Sequence, residues 1–119
     1  MASGTTKTVI SNIKSFDNIA ELGISWSDIA STSQIIAAMP NNSMFSFSTT
    51  STLGGDGYPI YQEIGESGSV ILFKNSTFRA MGICIPYKRS SENNKIYFLR
   101  AKGENEVAWS NGIDVTYNS

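Results

Sequence analysis

Pro40 divides this sequence into two kinds of pattern. Ahead of it, apolar residues recur at helical spacing. Beyond Ser43 they alternate with polar residues at the period of two that a pleated strand requires. The chain has 119 residues, which predicts one domain with a single modest core.

The helical half carries two signals. In "SFDNIAELGI", Phe16, Ile19 and Leu22 share one face. Ser15 is placed to cap, and Gly23 supplies the left-handed residue that closes a helix. The spacing predicts a short helix over 16–22. In "STSQIIAAMP", Ser31 and Gln34 have the spacing of a capping box, and Ile35, Ile36 and Met39 form the apolar face. Pro40 disfavours helical geometry at Met39, so a second helix is predicted over 32–38. The "NNS" that follows is turn chemistry.

The second half reads as strands. Phe45 and Phe47 point one way in "MFSFSTT", Ser46 and Ser48 the other. "TLGGDGYP" is a loop, with three glycines and a proline in eight residues. "SVILFK" and "FRAMGICIPY" flank "NST", a hairpin turn. In the latter strand Arg79, Met81, Ile83 and Ile85 share a face, and Phe78, Ala80, Gly82 and Cys84 the other. Both faces are largely apolar, which predicts a central strand covered on both sides. Gly82 marks a bulge or a close backbone approach. "KRSSENNK" is a polar loop, "KIYFLRA" a strand and "GENE" a turn. Asn111-Gly112, between "VAWS" and "IDVTY", predicts a last hairpin. Helices followed by strands imply an α+β fold: two short N-terminal helices packed on an antiparallel β-sheet of five to seven strands. Residues 1–14 read as a flexible or extended N-terminal arm and 15–119 as one knob-like domain.

Composition narrows the chemistry. Only 16% of residues are charged and the net charge is −1, against about 25% charged in an average globular domain. Such a surface has no field to draw in nucleic acid or an anionic membrane. Lys88-Arg89 is the only adjacent basic pair and reads as a solvated turn. No apolar run approaches the roughly 18–20 residues that span a bilayer. The polar "MASGTTKTV" lacks the order of a signal peptide. Cys84 is the sole cysteine, in an apolar run, and reads as a buried thiol. With no histidine in the chain, a Cys nucleophile lacks its usual base. Asp56 in "GGDG" has no series of further ligands for calcium and reads as a turn residue. The same loop lacks the G-K-[ST] of a phosphate loop. No metal and no cofactor is expected. Glu63 with Glu66, and Glu104 with Glu106, are the carboxylate pairs that a small polysaccharide-acting hydrolase would need, here in turn-like contexts.

The aromatic residues carry more information. Tyr58, Tyr61, Tyr87, Trp109 and Tyr117 lie beside or within loops, where rings next to hydroxyls and amides suit sugar or protein surfaces. Large aromatics are mostly buried, so Trp26 reads as packing. Packing is also the first reading of Trp109, but its position beside a loop keeps it among the contact residues. The candidate ligand-binding residues are Tyr58, Tyr61, Tyr87, Arg89 and Trp109, presented by "LGGDGYP", by "KRSSENN" and by the end of "VAWS".

Order and spacing of these segments resemble the C-terminal domains of bacteriophage tail-fibre and related tail proteins, of the pyocin-knob type. The residues that carry the resemblance are Met39-Pro40-Asn41-Asn42-Ser43, the run from Gly68 to Lys74, Arg79, and Trp109-Ser110, across residues 15 to 113. No long shaft-forming region precedes them. The resemblance implies a non-enzymatic virion protein, made in the bacterial host cytoplasm. It implies host-surface attachment or fibre-tip assembly, with a host glycan or protein and other virion proteins as partners, and often a homotrimer. A carbohydrate-binding module of a bacterial protein is the alternative that shares this chemistry.

Overall fold

The computed structural model describes residues 13–87 and 94–118. Its elements are β1 (Lys14–Phe16), two 3-10 turns (Ile19–Leu22 and Trp26–Asp28), α1 (Thr32–Ala38), β2 (Ser43–Ser48), α2 (Tyr58–Ile64), β3 (Gly68–Ser76), β4 (Arg79–Pro86), β5 (Lys95–Gly103), β6 (Glu106–Trp109) and β7 (Ile113–Asp114). The fold is α+β, as expected. The sheet has seven strands in the order β1-β2-β3-β4-β5-β6, with β7 also on β5. It is mixed, because β1 pairs with β2 in parallel while the other pairs are antiparallel.

α1 forms where the capping pattern puts it. The Ser31 hydroxyl accepts from Gln34 N–H at 3.3 Å, while the Gln34 side chain accepts from Ala30 N–H rather than from the cap itself. Met39 is extended at ψ 137°, as a residue before proline should be. The first predicted helix is shorter than expected. Phe16 belongs to β1, Ser15 pairs with Met44, and Asn18 replaces Ser15 as the cap of a single 3-10 turn. Gly23 closes that turn at φ 79°.

The helices are not both N-terminal. α2, which the loop reading passed over, lies between β2 and β3. Its start lacks a side-chain cap, but Pro59 stands in its first turn and Gly65 ends it at φ 89°. That is the proline-first, glycine-last asymmetry of helices. Glu63 therefore sits on a helix and not in a turn. The last predicted hairpin is absent as well. β7 pairs with Lys95 and Ile96 of β5, on the edge that β6 already occupies. Asn111-Gly112 is thus an irregularity within one edge: the register along β5 shifts by a residue between Trp109 and Ile113. Gly112 permits this at φ 95°, close to the Tyr97 ring and the Lys95 stem.

Register explains the core. Phe45, Leu72, Gly82, Leu99 and Trp109 are partners in one row, and Phe47, Val70, Cys84 and Tyr97 in the next. These side chains pack beneath Ile35, Ile36, Met39 and Ile60 from the helices. Gly82 marks a close approach, one of the two readings open from sequence. A Cβ there would lie 2.8 Å from Leu72 Cδ2 and 2.9 Å from the Ile71 carbonyl. The ladder's irregularity between β3 and β4 falls instead between Lys74 and Ser76.

β4 is central, but only one of its faces is covered. Ala80 and Cys84 are buried, while Met81, Ile83 and Ile85 are exposed. The cover expected for the second face is not provided by any described element of the chain.

Lys74 lies on the core face beside Ser43 and Ala80 and is 5% exposed. Its ammonium donates to the Ile36 carbonyl at 2.8 Å, satisfying one of the last carbonyls of α1. Burial pushes its pKa below the ordinary 10.5. The unfolded chain then binds more protons in the interval below 10.5, so this group makes stability rise with pH there. Cys84 acts oppositely: burial, and then Glu66, raise its thiol to about 11, so its contribution is lost as pH climbs above 9.0. Subtracting the denaturation midpoints of Lys74→Met from those of the wild type, across about pH 8 to 10.5, removes the Cys84 term. The difference is expected to move in favour of the wild type as pH rises. A flat difference would mean that the ammonium is not desolvated.

Candidate functional site

The chain leaves β1 through Asp17 and Asn18 and enters the first 3-10 turn. Asn18 Oδ1 accepts from Ala20 N–H at 2.9 Å, which fixes this corner. Trp26 follows in the second 3-10 turn and lies against β2. Its ring is 6.0 Å from Phe45, stacked at 17°, and 5.0 Å from Phe47, while Phe45 and Phe47 are 4.5 Å apart. Offset and tilted contacts of this kind add to burial because ring faces and edges carry opposite partial charge. From the other side comes the glycine-rich loop. Thr50 N–H donates to the Asp56 carbonyl at 2.8 Å. Gly57, at φ 65°, sits where a Cβ would be 2.6 Å from Thr49 Cγ2.

These elements enclose a recess of about 180 Å³ lined by Asp17, Asn18, Ile19, Trp26, Phe45, Phe47 and Asp56. Its walls are aromatic and its rim is polar. Asp17 and Asp56 are exposed, and neither carboxylate accepts a hydrogen bond from a described residue. Trp26 is 9% exposed, its indole N–H has no acceptor among the described residues, and that nitrogen is not sealed from solvent. Ring walls with free donors and acceptors are what a sugar ring or a small polar group on a protein surface requires. A larger hollow of about 310 Å³ lies along β5 and β6, lined by Phe98, Leu99, Arg100, Ala108, Trp109 and Ser110. It offers fewer free polar groups, because the Ser110 hydroxyl already accepts from Phe98 N–H at 2.9 Å.

The residues singled out from sequence are dispersed. Tyr58 and Tyr61 stack on α2 with centroids 6.0 Å apart, both half-buried. Tyr87 is exposed at the end of β4, where its N–H donates to Ser67 O in the segment after α2. Arg89 and most of "KRSSENN" lie outside the described residues. Trp109 is half-buried on the helix-covered face, and its indole donates to Thr32 Oγ1 at 3.1 Å. That hydroxyl donates onward to Glu63 Oε1 at 2.6 Å, and Thr32 N–H donates to Glu63 Oε2 at 3.1 Å. Trp109, Thr32 and Glu63 thus tie β6, α1 and α2 together. Both oxygens of Glu63 are engaged there, which makes it a poor partner for Glu66 in acid–base work. Of the predicted contact loops, "LGGDGYP" does reach the recess, through Asp56. Asp17, Asn18 and the Phe47 wall were missed as site residues. Phe45 and Phe47 were legible as one face, but the convergence of two distant loops on that face has no local signature.

Among the described residues no group of three or more Cys, His, Asp and Glu is arranged to hold a metal ion. No described helix is long and apolar enough to cross a membrane. The chain matches no protein-family model, no curated protein and no solved structure.

Proposed function

We propose that this protein is a non-enzymatic contact domain of a bacteriophage virion, of the tail-fibre or related tail-protein kind, which attaches to a host-surface glycan or protein or completes a fibre tip. The observation that carries the contact reading is the aromatic recess with two unpartnered carboxylates on its rim. The virion setting rests on the order and spacing of the motifs between residues 15 and 113. Display in many copies on one particle gives strength by avidity even where each contact is weak.

Binding of the purified protein to intact bacterial cells, and to an array of bacterial glycans, tests this. Asp17→Asn combined with Asp56→Asn is expected to weaken binding at least about 10-fold, the loss of about one charge-assisted hydrogen bond. Folding should be unaffected, because neither carboxylate has a described protein partner. Undiminished binding by the double variant would remove the recess from the contact surface. Two acids lining one recess also give the polysaccharide-hydrolase reading a specific footing. Release of reducing ends from a bacterial polysaccharide, abolished in the same variant, would establish that reading instead.

A further inference from the structure

The face of the sheet opposite the helices is apolar, and no described element of the chain covers it. On it Ser46, Ile71, Ile83 and Phe98 form one row. Met44, Phe73, Met81, Arg100 and Ala108 form the next, and Ser48, Ser69 and Ile85 a third. Ile71, Met81, Ile83, Ile85 and Phe98 are each between 42% and 54% exposed. They adjoin one another across three neighbouring strands, with Phe73 half-buried among them. Scattered single apolar residues on a surface need no explanation, but a contiguous patch of this kind marks an interaction site.

We infer that this face packs against the same face of a second copy of this chain. Size is the first argument. With strands about 4.8 Å apart and same-face residues about 6.8 Å apart, three rows over β2 to β6 measure at most roughly 24 by 20 Å, or about 500 Å² in outline. Side-chain relief brings it to the lower end of the roughly 600–1,000 Å² per partner buried in stable complexes. Organisation is the second. The apolar centre is bordered by Ser46, Ser48, Ser69 and Ser110, the core-and-rim arrangement of protein interfaces. Charge is the third. Within the rows the one charge is Arg100, between Met81 and Ala108, while Arg79 and Glu106 lie at the margin, so a two-fold arrangement can set Arg100 of one copy against Glu106 of the other. Composition of β4 is the fourth. A strand apolar on both sides is built for burial on both sides, and two sheets packed about 10 Å apart supply that burial. The chain's own undescribed segments are poor covers by sequence. Residues 1–12 contain two branched aliphatics, Val9 and Ile10, and 88–93 contain none. The inference does not depend on a virion setting.

Light scattering and sedimentation on the full chain are expected to give twice the 12.9 kDa protomer mass, and a trimer would not fit a same-face pairing. Ile83→Lys puts a charge at the centre of the face without touching the core, and should weaken association at least about 30-fold, as loss of an interface hot spot does. Should that variant misfold, Ile83→Ser trims the same site without adding a charge and is expected to weaken association at least about 10-fold. A monomeric wild type, or a folded Ile83→Lys or Ile83→Ser protein that associates as tightly as the wild type, would overturn the inference.

Discussion

Phe45→Ala is expected to destabilise the protein by about 3–5 kcal/mol, the range for removing a buried aromatic ring from a close-packed core. Phe45 is fully buried, and its ring contacts both Trp26 and Phe47. It also heads the row that continues through Leu72, Gly82 and Leu99. Deleting it leaves a void bounded on one side by a sheet whose register cannot slip without turning every side chain over. Collapse from that side is blocked, so the cost falls at the upper end of the range. Since domains of this size are stable by about 5–15 kcal/mol in total, the variant should lose at least about 1 M from its urea midpoint. A shift of a few tenths of a molar would mean that the aromatic cluster is not the centre of the core. The recess would lose one of its aromatic walls with the ring, so binding and stability should fail together at this residue and separate at Asp17 and Asp56.

Gly68→Ala is expected to cost about 2–3 kcal/mol by overpacking. Gly68 opens β3 at a junction made of backbone. A Cβ there would stand 2.4 Å from the Ile85 carbonyl oxygen and 2.7 Å from Pro86 Cα. On the other side Gly68 N–H donates to Thr49 Oγ1 at 2.7 Å, and Thr49 N–H donates to Gly68 O at 2.9 Å. The atoms a Cβ would meet are all backbone of Ile85 and Pro86, so relief requires the β3–β4 ladder or the Thr49 corner to shift. Gly103→Ala is the comparison. Its nearest neighbour is the Glu106 carboxylate at 3.0 Å, which can swing away, and the change should cost less than about 1 kcal/mol. Equal losses at the two glycines, read from thermal or urea unfolding, would refute the backbone-contact explanation.

Sequence patterns disclosed the elements whose determinants lie within a few residues of one another. Ser31, Gln34 and Pro40 set both ends of α1, Gly23 closed the first turn, and alternation about Phe45 and Phe47 gave β2 its facing. α2 was legible too, through Pro59 and Gly65, but the glycines before it dominated the reading. The candidate site was legible only in parts. Trp26, Phe47 and Asp56 each carried a plausible separate role, and nothing in the intervening residues says that they meet.

Local chemistry by itself therefore determined where this chain turns, caps and alternates, because steric limits and backbone hydrogen bonds act over about one turn of chain. Tertiary structure decided what those pieces face. It set β1 parallel to β2, laid β7 along β5 despite an Asn-Gly signal, engaged Trp109 with Thr32 and left one side of β4 bare. Pairing and burial depend on which surfaces compete for the same neighbour, and that competition is settled between residues far apart in the chain.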